Sequence, residues 1–202
     1  MKRSTASQLF TPLRLRGIEL RNRVVISPMC QYSAVEGMVN DWHLVQLGRY
    51  ALGGAGMVFA EASAVTRDGR ITHGDLGIWS DTHIPGLRRL ATFLHQQGAT
   101  PAIQLAHAGR KGSVQRPWEG GAPLNLSQHA ADEPPWPTVS AGDQPQDDQA
   151  PLPLALSVAE MEALKHRYVE AAQRAVEAGF EVIELHCGHG YLLHQFLSPL
   201  SN

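Results

Sequence analysis

Four apolar runs of strand length, separated by helical patterns, do most to restrict what this 202-residue chain can fold into. They are Arg23–Cys30 (RVVISPMC), Gly56–Val65 (GMVFAEASAV), Thr100–Gly109 (TPAIQLAHAG) and Phe180–Gly188 (FEVIELHCG). Their centres are almost continuously apolar and do not alternate, the pattern of strands covered on both faces in a parallel sheet. Between them, one helical pattern runs from Asp41 to the double glycine Gly53–Gly54, and another from Thr82 to Gly98. The third runs from Ser157 to Gly179; Ser157 with Glu160 makes a capping box and Gly179 supplies the stop. Alternating strands and helices predict an α/β fold with a parallel sheet, either doubly wound or closed into a barrel.

Polar chemistry chooses between the two. Each run ends in hydrogen-bonding or reactive residues: Cys30, Glu61 with Ala62, Gln104 with His107, then His186 with His189. Functional groups at the ends of successive strands belong to a TIM-barrel face. A doubly wound nucleotide fold would open its first helix with a glycine fingerprint, and GGAGM (Gly53–Met57) instead precedes a strand. The expectation is therefore a (β/α)8 TIM barrel over residues 9–202, of which only the first four β/α units are present. Residues 115–153, rich in Pro, Gly, Asp and Gln, are expected as a long loop excursion over the active face. In it, Trp118 and Trp136 either cover a ligand or pin the loop to the body.

Composition narrows the class further. A net charge of −2 lacks the basic excess that a nucleic-acid surface needs. No apolar run approaches the roughly 20 residues of a membrane span, and MKRSTASQLF lacks the apolar core of a signal peptide. Two cysteines, Cys30 and Cys187, cannot build a disulfide framework. A cytoplasmic globular protein with free thiols and no nucleic-acid or membrane partner is expected.

The residues that carry chemistry lie at the strand ends. Cys30 in ISPMCQYS is open to three readings: nucleophile, metal ligand or inert buried thiol. Arg110 and Lys111 form either a solvated pair or an anion site. In ELHCGHGYL, His186 and His189 flank a turn of small residues and can aim into one pocket beside Tyr191. Zinc would want three or four ligands, and Cys187 falls on the opposite side of His186 if the strand continues. The motif also holds no acidic group to orient a metal-bound imidazole, so no metal is expected. The two imidazoles suit hydrogen-bond donation to an oxygen that gains negative charge, with Tyr191 as proton donor.

Taken in order, LFTPLRLRGIELRNRVVISPMCQYS, EASAVTRDGRIT, GIWSD, IQLAHAGRKG and HCGHGYLLHQFLSPLSN resemble the Old Yellow Enzyme family of flavin-dependent ene-reductases. RPWEG narrows the resemblance to the thermophilic-like branch that includes the xenobiotic reductases. The resemblance implies non-covalent FMN on the barrel's C-terminal face, with NAD(P)H as reductant and enones or nitro compounds as substrates. Ser27, Pro28, Met29 and Cys30 would contact the flavin through backbone and thiol, Cys30 tuning its potential. Ala62 would line the ring, and Gln104 would hydrogen-bond its pyrimidine edge. His186 and His189 would grip the substrate oxygen, and phenols would stack there as phenolates. Tyr32 would line the substrate pocket, and Tyr191 would protonate Cα after hydride reaches Cβ. Cys187–Gly188 departs from the family pattern and would alter pocket shape slightly. A homo-oligomer is implied for the full-length enzyme, of which this chain would be the amino-terminal half. The alternative is a non-catalytic half-barrel unable to hold FMN alone.

Overall fold

The computed structural model describes residues 7–126 and 133–202. The chain enters through an antiparallel hairpin that the apolar runs do not announce, β1 (Leu13–Leu15) and β2 (Ile18–Leu20). Its tight Arg16–Gly17 connection places Arg16 at φ +52°. Leu20 is fully buried and clusters with Met57, Phe59 and Ala102, so the hairpin closes the N-terminal end of the main sheet.

Then come β3 (Val25–Ile26), α1 (Asp41–Leu52), β4 (Met57–Ala64), α2 (Ile84–Gln96) and β5 (Thr100–Ala106). They are followed by β6 (Val139–Ser140), β7 (Leu154–Ala155), α3 (Val158–Ala178), β8 (Val182–Leu185) and α4 (Leu192–Leu197). Strands β3, β4, β5 and β8 form one parallel sheet in that order, as the four apolar runs predict. The first run contributes only two residues to it, and Ser27–Cys30 is irregular. Pro28 has no N–H to donate to a ladder, which ends the strand early.

The helices cover one face. In α2, Leu87, Leu90, Ala91 and Leu94 recur at helical spacing and are buried against Val58 and Ala60 of β4 and Ile103 and Leu105 of β5. Helix α3 buries alanines, Ala171, Ala175 and Ala178, whose small side chains permit close approach to α2. Its ends follow the sequence: Ser157 and Glu160 cap each other at the start, and Gly179 at φ +95° terminates it.

The 115–153 segment is not bare loop where it is described. Strand β6 within it pairs in parallel with β7 just past its end, while residues 127–132 lie outside the described residues. Among the described residues no helix is long and apolar enough to cross a membrane.

Candidate active site

At the C-terminal ends of β3, β4, β5 and β8 lies an open cleft of about 560 Å³. Ser27, Pro28, Cys30, Tyr32, Ala62, Gln104, His186, His189 and Tyr191 all line it, joined by Glu184, Leu185, Cys187 and Gly188. Met29 does not line the cleft and is exposed.

Strand β4 presents Ala62 to the cleft by a register break. Ala60 pairs with Ile103 and Ala62 with Gln104, so Glu61 is an extra residue on one strand. Such a bulge re-aims side chains; here it turns Glu61 into the interior, where it is 1% exposed. Gln104 faces Glu184 across the β5–β8 ladder, and its Nε2 donates to the Glu184 carboxylate at 2.5 Å. His107, the other polar residue at that strand end, is buried, and its Nδ1 accepts from the Gly109 N–H at 3.0 Å.

Beyond β8 the chain turns sharply. His186 N–H still donates to Leu105, but His189 (φ +57°) and Gly190 (φ +74°) reverse the direction. Because β8 stops at Leu185, strand alternation does not reach Cys187, which lines the same cleft as His186. Lys111 Nζ donates to the His189 carbonyl at 2.8 Å and sits over the Tyr191 ring at 5.1 Å. Arg110 donates to the Gln144 carbonyl, so both cations brace loops. The result is convergence: His186 Nε2 and His189 Nδ1 are 3.4 Å apart, and the Tyr191 ring centroid is 5.1 Å from that of His186. One oxygen between the two imidazoles can accept from both when those nitrogens carry the protons.

Burial sets the protonation states. It lowers the His186 pKa, with His189 pushing the same way and Glu184 opposing, which favours neutral imidazole. It raises Tyr191 to about 12, helped by Cys30 and Asp75, so the phenol keeps its proton. The Cys30 thiol is pushed well above its ordinary range by burial, then by Asp75 and Glu61, which disfavours a thiolate nucleophile. Both cysteines are free. No group of three or more His, Cys, Asp or Glu among the described residues is placed to hold a metal ion.

The two tryptophans differ in role. Trp136 pins: its Nε1 donates to the Asp68 carbonyl at 2.9 Å, and Arg70 lies over its ring at 5.2 Å. Trp118 is exposed and meets Tyr32 edge-on at 6.0 Å, beside the cleft. Sequence reading overlooked Gln195, which is fully buried; its Nε2 donates to Gly190 at 2.7 Å and its Oε1 accepts from Ser140 at 2.9 Å, tying down the histidine turn. The available signal was a lone amide inside YLLHQFL.

Residues 8–202 match the NADH:flavin oxidoreductase / NADH oxidase family. The chain belongs to that family. An NADH:flavin oxidoreductase of Gibberella zeae is 44% identical over 203 residues, covering 98% of this chain and 48% of the relative. Among solved structures, morphinone reductase superposes with a TM-score of 0.81 at 25% identity, over 98% of this chain and 53% of that one. The Old Yellow Enzyme of Pichia sp. shares the fold, with a TM-score of 0.80 at 22% identity over 96% of this chain and 50% of its own. The chain thus spans about half the length of the relatives it matches.

Four buried ionisable groups of this NADH:flavin oxidoreductase family member lie behind the cleft. Burial raises Glu61 from 4.5 to about 8, with the Gln31 N–H opposing, and raises Asp75 from 3.8 to about 6 against its hydrogen bonds. It lowers His43 from 6.5 to about 4 against a backbone hydrogen bond at Asn40, and His107 from 6.5 to about 4 against Asp68. The folded carboxyls hold protons that the unfolded chain releases, so each costs stability as pH rises toward its folded pKa. The histidines do the reverse, losing stability as pH falls below 6.5. The two pairs oppose each other on the acid side, while from pH 6.5 to about 8 Glu61 acts unopposed. At about 1.4 kcal/mol per pH unit, stability is expected to fall by about 2 kcal/mol across that interval. Urea unfolding at both pH values checks this; a midpoint equally constant in wild type and Glu61→Gln contradicts it.

Proposed function

We propose that this chain forms the first four β/α units of a TIM barrel that binds FMN and works as an NAD(P)H-dependent ene-reductase. The observation that carries the reading is the meeting of His186 Nε2 and His189 Nδ1 at 3.4 Å beside the Tyr191 ring. The cleft also fits a flat, electron-poor ring. Its wall of Ser27, Pro28 and Ala62 is free of bulk, Gln104 offers an amide, and Cys30 offers a protonated thiol. When bound, FMN supplies hydride to the substrate. The protein's own work is orientation and charge. His186 and His189 donate to a carbonyl or nitro oxygen and stabilise the negative charge that develops on it. Tyr191 retains its proton until a basic carbon forms nearby, then acts as general acid. Tyr32 borders the substrate, and Cys30 adjusts the electronic environment without bonding to it.

The test is purification followed by equilibrium dialysis against FMN and an assay of NADH- or NADPH-dependent reduction of cyclohexenone. Yellow protein that turns over is the expected result; a colourless protein that takes up no FMN overturns the reading for this chain. One observation favours a second reading, a half-barrel that holds FMN only with a partner half. Val25 on β3 and Leu185 on β8, the edge strands of the described sheet, are 43% and 53% exposed. FMN uptake that appears only after a partner half is added would select it.

A further inference from the structure

His189 holds a backbone conformation that its surroundings must enforce. Its φ of +57° lies in the left-handed region, where residues other than glycine rarely rest. A residue persists there only when the structure around it over-determines the choice, and strain of this kind gathers at binding and catalytic sites. The turn is fixed at two successive carbonyls. Lys111 Nζ donates to that of His189 at 2.8 Å, from the end of a flexible stem. Gln195 Nε2 donates to that of Gly190 at 2.7 Å, from a fully buried position on α4.

The Gln195 amide can sit only one way round. The Gly190 and Ala108 carbonyls, 2.7 and 3.5 Å away, accept and cannot donate, so the NH2 group faces them. The amide oxygen then faces Ser140 of β6, whose hydroxyl donates to it at 2.9 Å. Ser140 is 1% exposed, and its carbonyl accepts from the Leu156 N–H at 2.9 Å just past β7. Gly109, at φ +62°, makes the room: a Cβ there would lie 2.5 Å from Gln195 Oε1 and 2.6 Å from Nε2. The Gln195 N–H donates to the Tyr191 carbonyl at 2.9 Å, and its own carbonyl accepts from Ser201 Oγ at 2.9 Å. One buried residue thus joins the turn that carries His189 and Tyr191, the turn after β5, and strand β6 of the excursion.

We propose that Gln195 is a positioning residue that couples β6 to the aim of His189. With Ser140 donating, the amide is oriented toward Gly190, the left-handed turn holds, and His189 Nδ1 stays 3.4 Å from His186 Nε2. Without that donor the amide is free to rotate off Gly190, the turn relaxes, and the two rings part. The grip on a substrate oxygen is then set by a strand that contributes no side chain to the cleft. The inference rests on the proposed oxygen-gripping role only for its catalytic meaning; the coupling is a property of the chain itself.

The experiment is nuclear magnetic resonance of the purified full chain with isotope-labelled histidine. Two signals report the turn without flavin. One is the Overhauser contact between the rings of His186 and His189, whose centroids are 5.2 Å apart. The other is the strong HN–Hα contact within His189 that a positive φ produces. Both are expected in wild type. Gln195→Met keeps an unbranched side chain of similar length and removes both side-chain hydrogen bonds, so both signals should be lost. Ser140→Ala leaves Gln195 in place and removes only its orienting donor, so both should weaken. Ala171→Gly, on the buried face of α3, loosens the fold away from the turn and should leave both at full strength. Wild type without these signals, signals unchanged in Gln195→Met or Ser140→Ala, or an equal loss in Ala171→Gly overturns the proposal. Should Gln195→Met not fold, Ser140→Ala decides. In flavin-loaded protein, Gln195→Met should also weaken p-hydroxybenzaldehyde binding about tenfold, the share of one donor. Signals that respond as stated in a protein that takes up no FMN count against the flavin reading alone; a yellow protein whose signals do not respond counts against Gln195 alone.

Discussion

Replacing His186 and His189 together with alanine in the flavin-loaded protein is expected to weaken binding of p-hydroxybenzaldehyde a hundredfold or more. Both imidazoles face one spot, with Nε2 and Nδ1 3.4 Å apart, so a phenolate oxygen seated there takes a proton donor from each. Hydrogen bonds to a charged acceptor contribute roughly 1.5–3 kcal/mol apiece. Two of them therefore account for about 3–6 kcal/mol, and every 1.4 kcal/mol is about tenfold in affinity. His186 is held neutral by burial, so the effect comes from hydrogen-bond donation and not from a fixed imidazolium charge. Single replacements should not add simply, because removing one ring frees the other from a shared contact. The long-wavelength charge-transfer band of the bound phenolate reports the titration. A band of undiminished affinity in the double variant would eliminate the oxygen-gripping role.

What the sequence revealed of this site, and what it hid, follows from how each residue is held. His186, His189 and Tyr191 were legible because they sit within six residues behind a strand-like run, so local geometry alone brings them together. Ala62 and Gln104 were legible because parallel strands in register put their ends on one rim. The inward placement of Glu61 was not. A bulge adds one residue to a stretch that is apolar on both faces, and such a stretch has no alternation whose break could be seen. Cys187 misled for a related reason: alternation does not hold past Leu185, where His189 and Gly190 turn the chain instead. The β1–β2 hairpin escaped notice because its strands are three residues each and only Leu20 among them is buried. Trp136 was undecidable locally, since its anchor, the Asp68 carbonyl, is 68 residues away in sequence.

The same dependence on distant backbone makes Gly74, packed against the Tyr32 turn at the cleft wall, a sensitive position for stability. Its N–H donates to Thr72 Oγ1 at 3.0 Å and its carbonyl accepts from Ala34 at 2.9 Å, which fixes the loop on both sides. A Cβ there would collide with the Tyr32 carbonyl oxygen, lie 2.6 Å from the carbonyl carbon and 2.9 Å from Arg116 Nε. Tyr32 cannot easily retreat: it already occupies the left-handed region at φ +51°, and its ring borders the cleft. Arg116 is held in turn by ion pairs with Glu133 and Glu119. Overpacking of this kind costs roughly 1–3 kcal/mol, and backbone has less freedom to yield than a side chain, so Gly74→Ala should cost about 3 kcal/mol. That is a large share of the stability of an ordinary domain. Gly17→Ala is the control, because a Cβ at Gly17 meets nothing within 4 Å. Urea midpoints should drop sharply for Gly74→Ala and stay within about 0.5 kcal/mol of wild type for Gly17→Ala. The displaced Tyr32 should also change the fluorescence of Trp118, its edge-on neighbour at 6.0 Å. Equal midpoints for the two variants would mean that the Tyr32 turn gives way freely, and that the cleft wall it forms is softer than its backbone geometry implies.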